Sequence, residues 1–295
     1  MSTPTEARPA THEHGAERAH GPGRLRGLVS LINATPMSRA RAGILLGLLV
    51  LTFASWAFLL DRRDGMGEHE SMTPTMGLSA LLFIAVWVAM MIATMFPAVA
   101  PMVLMFARIG ANKRTAGKAF TPVWLFVSGY LLVWTALGVL AFGLALAAED
   151  LASHVDWISA HAARIGGALI VVAGAYQFSA IKDRCLTECR SPLAFVMEHW
   201  RDGRLGAVRM GVHHGWHCAG CCWALMAMLF PLGMMNIAAL AGVTAFIYAE
   251  KVLPAGQVLR YGAGVALVVF GLAVMIDPSL LPGTLAHSGH AMAGH

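Results

Sequence analysis

The sequence predicts an all-α, polytopic transmembrane bundle of about seven helices, with six as the other count. Three observations carry this. Of 295 residues, 57% are apolar and 13% charged, about half the roughly 25% charge of an average soluble domain. Mean hydropathy is +0.64. The apolar residues also gather into runs that suit the hydrocarbon core, where a crossing takes about 20 residues at about 1.5 Å rise each.

Residues 1–41 are rich in Pro, Gly, His and Arg without periodicity and read as a disordered cytoplasmic tail. No signal peptide is expected, because the first apolar run starts near Ala42 with no small-residue cleavage site behind it. The transmembrane domain covers residues 42–277. Its expected spans are Ala42–Leu60, Gly77–Ala107 (kinked at Pro97 and Pro101), Phe120–Ala147 and Arg164–Ile181. An acidic loop with Glu149, Asp150 and Asp156 separates the third from the fourth. After a basic stretch, Lys182–Arg209, the uncharged run Met210–Ala249 is too long for one crossing. Pro231, Gly233 and Asn236 break it into Gly211–Phe230 and Asn236–Ala249. Val258–Ile276 is the last span, stopped by Asp277-Pro278, and residues 278–295 form a histidine-containing tail.

The charge distribution sets the orientation. On seven crossings with the N-terminus inside, only Arg62, Arg63 and Arg164 of the 21 Lys and Arg lie outside. The positive-inside rule therefore places the N-terminus in the cytoplasm and the C-terminus in the periplasm of a bacterial inner membrane. The net charge of +5 reflects these inner segments, which meet anionic headgroups. The lipid bilayer is the expected partner, and nucleic acid is not.

The five cysteines flank one segment. Cys185 and Cys189 follow the fourth span. Cys218, Cys221 and Cys222 begin the fifth, just after His213, His214 and His217. On this topology all face the cytoplasmic edge of the membrane, where thiols stay reduced and Cys-x-x-Cys reads as metal-binding or catalytic. On a helix, His214, His217, Cys218 and Cys221 share an arc of about 100°, with Cys222 and His213 on its flanks. Thiolates and imidazoles select Cu(I) or Zn(II) over hard cations. Thiol redox chemistry and plain packing are the competing readings. The spacing fits neither a zinc finger nor a Cys-x-x-Cys-His haem attachment signal.

Eighteen methionines add soft donors. Met91, Met95, Met102 and Met105 form a stripe about 80° wide, and Met228 shares the face of the cysteines. A thioether relay from Met91 and Met95 is one reading, and a flexible apolar core is the other. Met66, His69, Met72 and Met76 cluster in the first outer loop, and His287, His290, Met292 and His295 in the last tail; His12, His14 and His20 stand in the first. Gln177 is a candidate ligand support, and Glu250 beside Lys251 is either a functional carboxylate or a snorkelling ion pair. No nucleotide loop, Ser/His/Asp set or paired-carboxylate hydrolase pattern is present.

Four blocks carry a resemblance: residues 90–98 (MMIATMFPA), 174–177 (GAYQ), 182–192 (KDRCLTECRSP) and 213–226 (HHGWHCAGCCWALM). With Glu250-Lys251 they resemble the bacterial predicted metal-binding integral membrane proteins, domain of unknown function 2182, over about residues 80–255. Thr94 departs from the pattern, standing where methionine is expected. The resemblance implies metal binding in a bacterial inner membrane.

The function expected is handling of Cu(I), by transport or by delivery for copper-enzyme assembly, with a copper chaperone or a copper enzyme as partner. Its metal ligands would come from Cys185, Cys189, His213, His214, His217, Cys218, Cys221, Cys222, Met91 and Met95. The alternatives are a thiol oxidoreductase cycling the Cys pairs against quinone or haem, and a structural Zn(II) clip. No catalytic residue is assigned, and the sequence points more to a carrier than to an enzyme.

Overall fold

The computed structural model describes residues 36–64, 74–117 and 121–281. The described residues from Ala40 onward belong to one compact unit. The tail histidines His12, His14 and His20, the loop residues Met66, His69 and Met72, and His287, His290, Met292 and His295 lie outside the described residues.

The described chain is helical: α1 (Pro36–Asp64), α2 (Ala80–Thr115), α3 (Val123–His154), α4 (Asp156–Tyr176), α5 (Ala180–Arg190), α6 (Pro192–His199), α7 (Gly203–Ala227), α8 (Leu229–Leu232), α9 (Ile237–Val252) and α10 (Gly256–Ile276), closed by a 3-10 turn at Pro278–Leu280. This suits a bilayer, where helices satisfy their own backbone groups. Six segments are long and apolar enough to cross: Arg39–Asp64, Ala80–Thr115, Val123–His154, Asp156–Tyr176, Gly203–Leu232 and Gly256–Ile276. The expected seventh, α9, has only 16 residues, about 24 Å against about 30 Å of hydrocarbon. Exposed Phe53, Leu140 and Val269 give α1, α3 and α10 the apolar outer faces that lipid requires.

Several boundaries differ from expectation. Glu149 and Asp150 belong to the end of α3 rather than to a loop, and only Val155 separates α3 from α4. Glu149 is used there, accepting from Thr75 N and Thr75 Oγ1, each at 2.7 Å. The basic stretch Lys182–Arg209 is likewise not a loop but α5, α6 and the first turns of α7. Helices run on past the apolar core because charged side chains are solvated there at no cost to the backbone. Both prolines, Pro97 and Pro101, lie inside α2. The break near Pro231 stands where expected: Gly233 has φ +86, in the region favoured by glycine, and Asn236 caps α9 by accepting from Ala239 N at 3.1 Å.

Two close helix pairs position the site. Between α4 and α10, a Cβ on Gly271 would meet Gly167 O at 2.7 Å, and one on Gly167 would meet Gly271 O at 2.9 Å. Between α3 and α7, a Cβ on Gly211 would run into the carbonyl of Phe126. Small residues permit such approach in lipid, where packing rather than water drives association. The pair α3 and α7 thus brings Tyr130 against Cys218. The α9–α10 hairpin then runs to α5 and back. Arg190 Nη2 donates to Leu253 O at 2.9 Å at its turn, and a Cβ on Gly166 in α4 would meet both Pro231 and Leu281.

Candidate metal centre

Cys218, Cys221 and Cys222 are buried about midway along the 30-residue segment Gly203–Leu232. Helix α7 starts at Gly203 rather than at the expected Gly211, which adds about two turns of helix before the cysteines. Cys221 Sγ and Cys222 Sγ donate to Cys218 O at 3.1 and 2.7 Å, so both thiols fold back along the helix toward Cys218.

Helix α5 packs on this stretch. Gly220 makes room for it, because a Cβ there would lie 2.6 Å from Cys185 Sγ. Tyr176 OH donates to Gly220 O at 2.6 Å and anchors the end of α4 to the same point. Cys189 Sγ lies 3.9 Å from Cys221 Sγ, and Cys189 also meets Cys218. From α2, Met95 Sδ lies 4.0 Å from Cys222 Sγ. Cys218 Sγ has two further neighbours, Tyr130 OH at 3.1 Å and Lys251 Nζ at 3.0 Å. Four thiols and a thioether from α2, α5 and α7 therefore meet, with one ammonium among them.

The donor set fits a soft metal ion. Two thiolates on one ion at about 2.3 Å each stand about 3.8 Å apart in tetrahedral geometry, close to the spacing of Cys189 and Cys221. His214, buried a turn before Cys218, leaves its Nδ1 without a hydrogen-bond partner among the described residues. Buried polar atoms are rarely left so. No three His, Cys, Asp or Glu side chains among the described residues form a ready ion cage. The Lys251 ammonium sits where a cation would approach Cys218, so binding an ion requires small side-chain rotations.

A second polar group supports the first. Lys182 Nζ, fully buried on α5, lies 2.8 Å from Glu250 Oε1 and 2.9 Å from Oε2, and also donates to Gln177 Oε1. An ion pair of Glu250 with its neighbour Lys251 was one of the two expectations for this carboxylate. It pairs instead with a residue of another helix, because consecutive helical residues point about 100° apart. That frees Lys251 to turn toward Cys218. Arg260 adds a third clasp, donating to Asp183 Oδ1 at 2.6 Å.

The histidines divide. His214 is enclosed by the rings of Phe126, Tyr130 and Phe195 at 6.0, 5.9 and 5.2 Å. His213 and His217 turn away, their rings 4.6 Å apart, and His199 of α6 joins them with its ring 4.3 Å from His213. Met91 is buried in the α2 core a turn before Met95, and its carbonyl faces the Thr94 hydroxyl. Sequence reasoning missed Tyr130, Lys182 and His199. Lys182 alone carried a signal, as a charge beside an apolar span.

Fold and site together define a polytopic helical membrane protein with a buried cysteine cluster. A family described as a copper chaperone, PpoB2, matches residues 84–274, which include every cysteine, Met95 and Lys251. The chain belongs to that family. No curated protein and no solved structure gives a significant match.

Proposed function

We propose that the protein carries Cu(I) as cargo on Cys189, Cys218, Cys221, Cys222 and Met95, and delivers it for assembly of a copper enzyme. The observation that carries this reading is Lys251 Nζ at 3.0 Å from Cys218 Sγ inside a buried sulfur cluster. A monovalent copper on two thiolates has a net charge of −1, and one ammonium cancels it. Buried charges persist only when paired. A divalent ion on the same two thiolates would leave an excess positive charge. Thiolate and thioether donors favour Cu(I) on softness alone. The ion would be passed between donors by exchange of one sulfur for the next, a step that needs no nucleotide. The concentration of Lys and Arg on one side supports a cytoplasmic N-terminus.

Full-length protein loaded with one equivalent of Cu(I) in lipid nanodiscs is expected to activate a copper-free copper enzyme. Protein carrying Cys218→Ser and Cys221→Ser should activate none. Equal activation by both would remove the cluster from the pathway. A disulfide between Cys189 and Cys221 trapped in living cells would favour the thiol-redox reading instead, since those sulfurs already lie 3.9 Å apart.

The methionines should separate. Leucine conserves volume at a cost usually under about 1.5 kcal/mol while removing the sulfur. Met95→Leu is expected to speed the loss of Cu(I) to a chelator severalfold, and Met91→Leu to leave it unchanged. Equal effects would mean that both methionines act through packing.

A further inference from the structure

His199, which the copper-cluster reading does not use, joins His213 and His217 around a common floor. Phe195 is fully buried, and its ring lies 4.8 Å from His199, 5.5 Å from His213 and 6.3 Å from His217. His199 Nδ1 lies 3.1 Å from Phe195 O, and His217 Nδ1 lies 2.9 Å from His213 O. A carbonyl only accepts, so each Nδ1 is the donor in this contact, and the neutral ring then offers Nε2 as the lone pair, the arrangement of metal-binding imidazoles. Exposed His154 and His161 make the same local contact, so that bond alone marks no site. Convergence does. A cleft of about 680 Å³, lined by His199, His213, Met210, Glu198, Arg201 and Arg209, opens onto two of the three rings.

We propose that His199, His213 and His217 form a second metal site of imidazole nitrogens, which takes a transition-metal ion from the cleft and passes it to the thiols with its oxidation state unchanged. Three Nε2 atoms at about 2.0–2.1 Å from one ion place their ring centres about 5 Å apart. The His199–His213 and His213–His217 rings stand 4.3 and 4.6 Å apart, so His213 is the shared neighbour, and all three rings must rotate before they can cage an ion. His217 immediately precedes Cys218, so the imidazole set and the thiol cluster are joined along α7. The identity of the cargo as copper rests on the function proposed above; the imidazole site does not.

The test uses full-length protein with each cysteine changed to serine and with His12, His14, His20, His69, His287, His290 and His295 changed to alanine, which leaves the cleft as the main imidazole set. One equivalent of Cu(II) should give an electron paramagnetic resonance spectrum with coupling to more than one nitrogen. His199→Ala should weaken binding by more than the about tenfold that loss of even an outer-shell partner costs. A spectrum without nitrogen coupling, or one unchanged in both His199→Ala and His213→Ala, overturns the proposal. If the serine protein fails to fold, native-cysteine protein decides. There His199→Ala should slow loading from a Cu(I) donor about tenfold while the final copper content stays the same, and an unchanged loading rate overturns the proposal. Nitrogen-coupled Cu(II) in a protein whose thiols never retain Cu(I) would keep this site and sink the cargo reading.

Discussion

Lys182→Met is expected to destabilise the protein by about 3–5 kcal/mol, the usual cost of removing one partner from a buried ion pair. The Lys182 side chain is 0% exposed and that of Glu250 is 1%. The substitution leaves the Glu250 carboxylate without its ion-pair partner and Gln177 Oε1 without its donor. Glu250→Gln should cost a similar amount for the opposite reason, an ammonium without its counter-ion. The double variant Lys182→Met with Glu250→Leu should recover most of the loss, since an apolar pair of similar size is often neutral relative to a buried ion pair. Unfolding in detergent, followed by denaturant titration, measures all three. A loss under about 1 kcal/mol for Lys182→Met would mean that water reaches the pair. The consequence extends to the metal centre. The pair joins α5, which brings Cys185 and Cys189, to α9, which brings Lys251. The single variants should therefore also retain less copper.

Lys251→Met is expected to weaken Cu(I) binding by about 30-fold, which corresponds to about 2 kcal/mol, the low end of what truncating one partner of a buried charge pair costs. Without the ammonium, a two-thiolate copper centre keeps its negative charge in a low-dielectric interior. Lys251→Arg keeps the charge and should stay within about tenfold of the original. Competition against a chromophoric Cu(I) chelator reads both. Affinity unchanged in Lys251→Met would show that the charge on the centre is balanced elsewhere, and the argument for a monovalent ion from charge would fall.

The sequence was most legible where one physical rule acted alone. Hydrophobic run length located the long helices, Pro231 to Asn236 marked the helix break, and Asp277-Pro278 marked the end of α10. Helical periodicity placed His214, His217, Cys218 and Cys221 on one face; His214, Cys218 and Cys221 are buried, whereas His217 is half-buried against His213, and Cys222, expected outside that face, is buried with the other cysteines. Pairing across the bundle was not legible. Glu250 stands beside Lys251 in sequence, yet its partner Lys182 is 68 residues away, and no spacing rule encodes which helices become neighbours. Charge counting also treats every Lys and Arg as a loop charge. Lys182, Lys251 and Arg260 are buried because each has a specific partner, and a hydropathy scan cannot tell these from solvated ones. His199 went unnoticed for the same reason: α6 folds back against α7, so two imidazoles 14 positions apart in the chain lie with their rings 4.3 Å apart, tilted by 58°. Helix ends were misplaced where charge met the interface, as at Glu149 and Asp150, because a polar residue ends an apolar run without ending a helix.

Delivery of copper requires that the buried sulfurs hold it. The most direct measurement is metal content together with X-ray absorption at the copper edge, on full-length protein purified under reducing, oxygen-free conditions. About one copper per chain is expected, monovalent, with sulfur as its nearest neighbours, and loss of that copper when Cys218→Ser and Cys221→Ser are combined. Copper retained by the double variant, or a native centre with a first shell of nitrogen and oxygen alone, would contradict it.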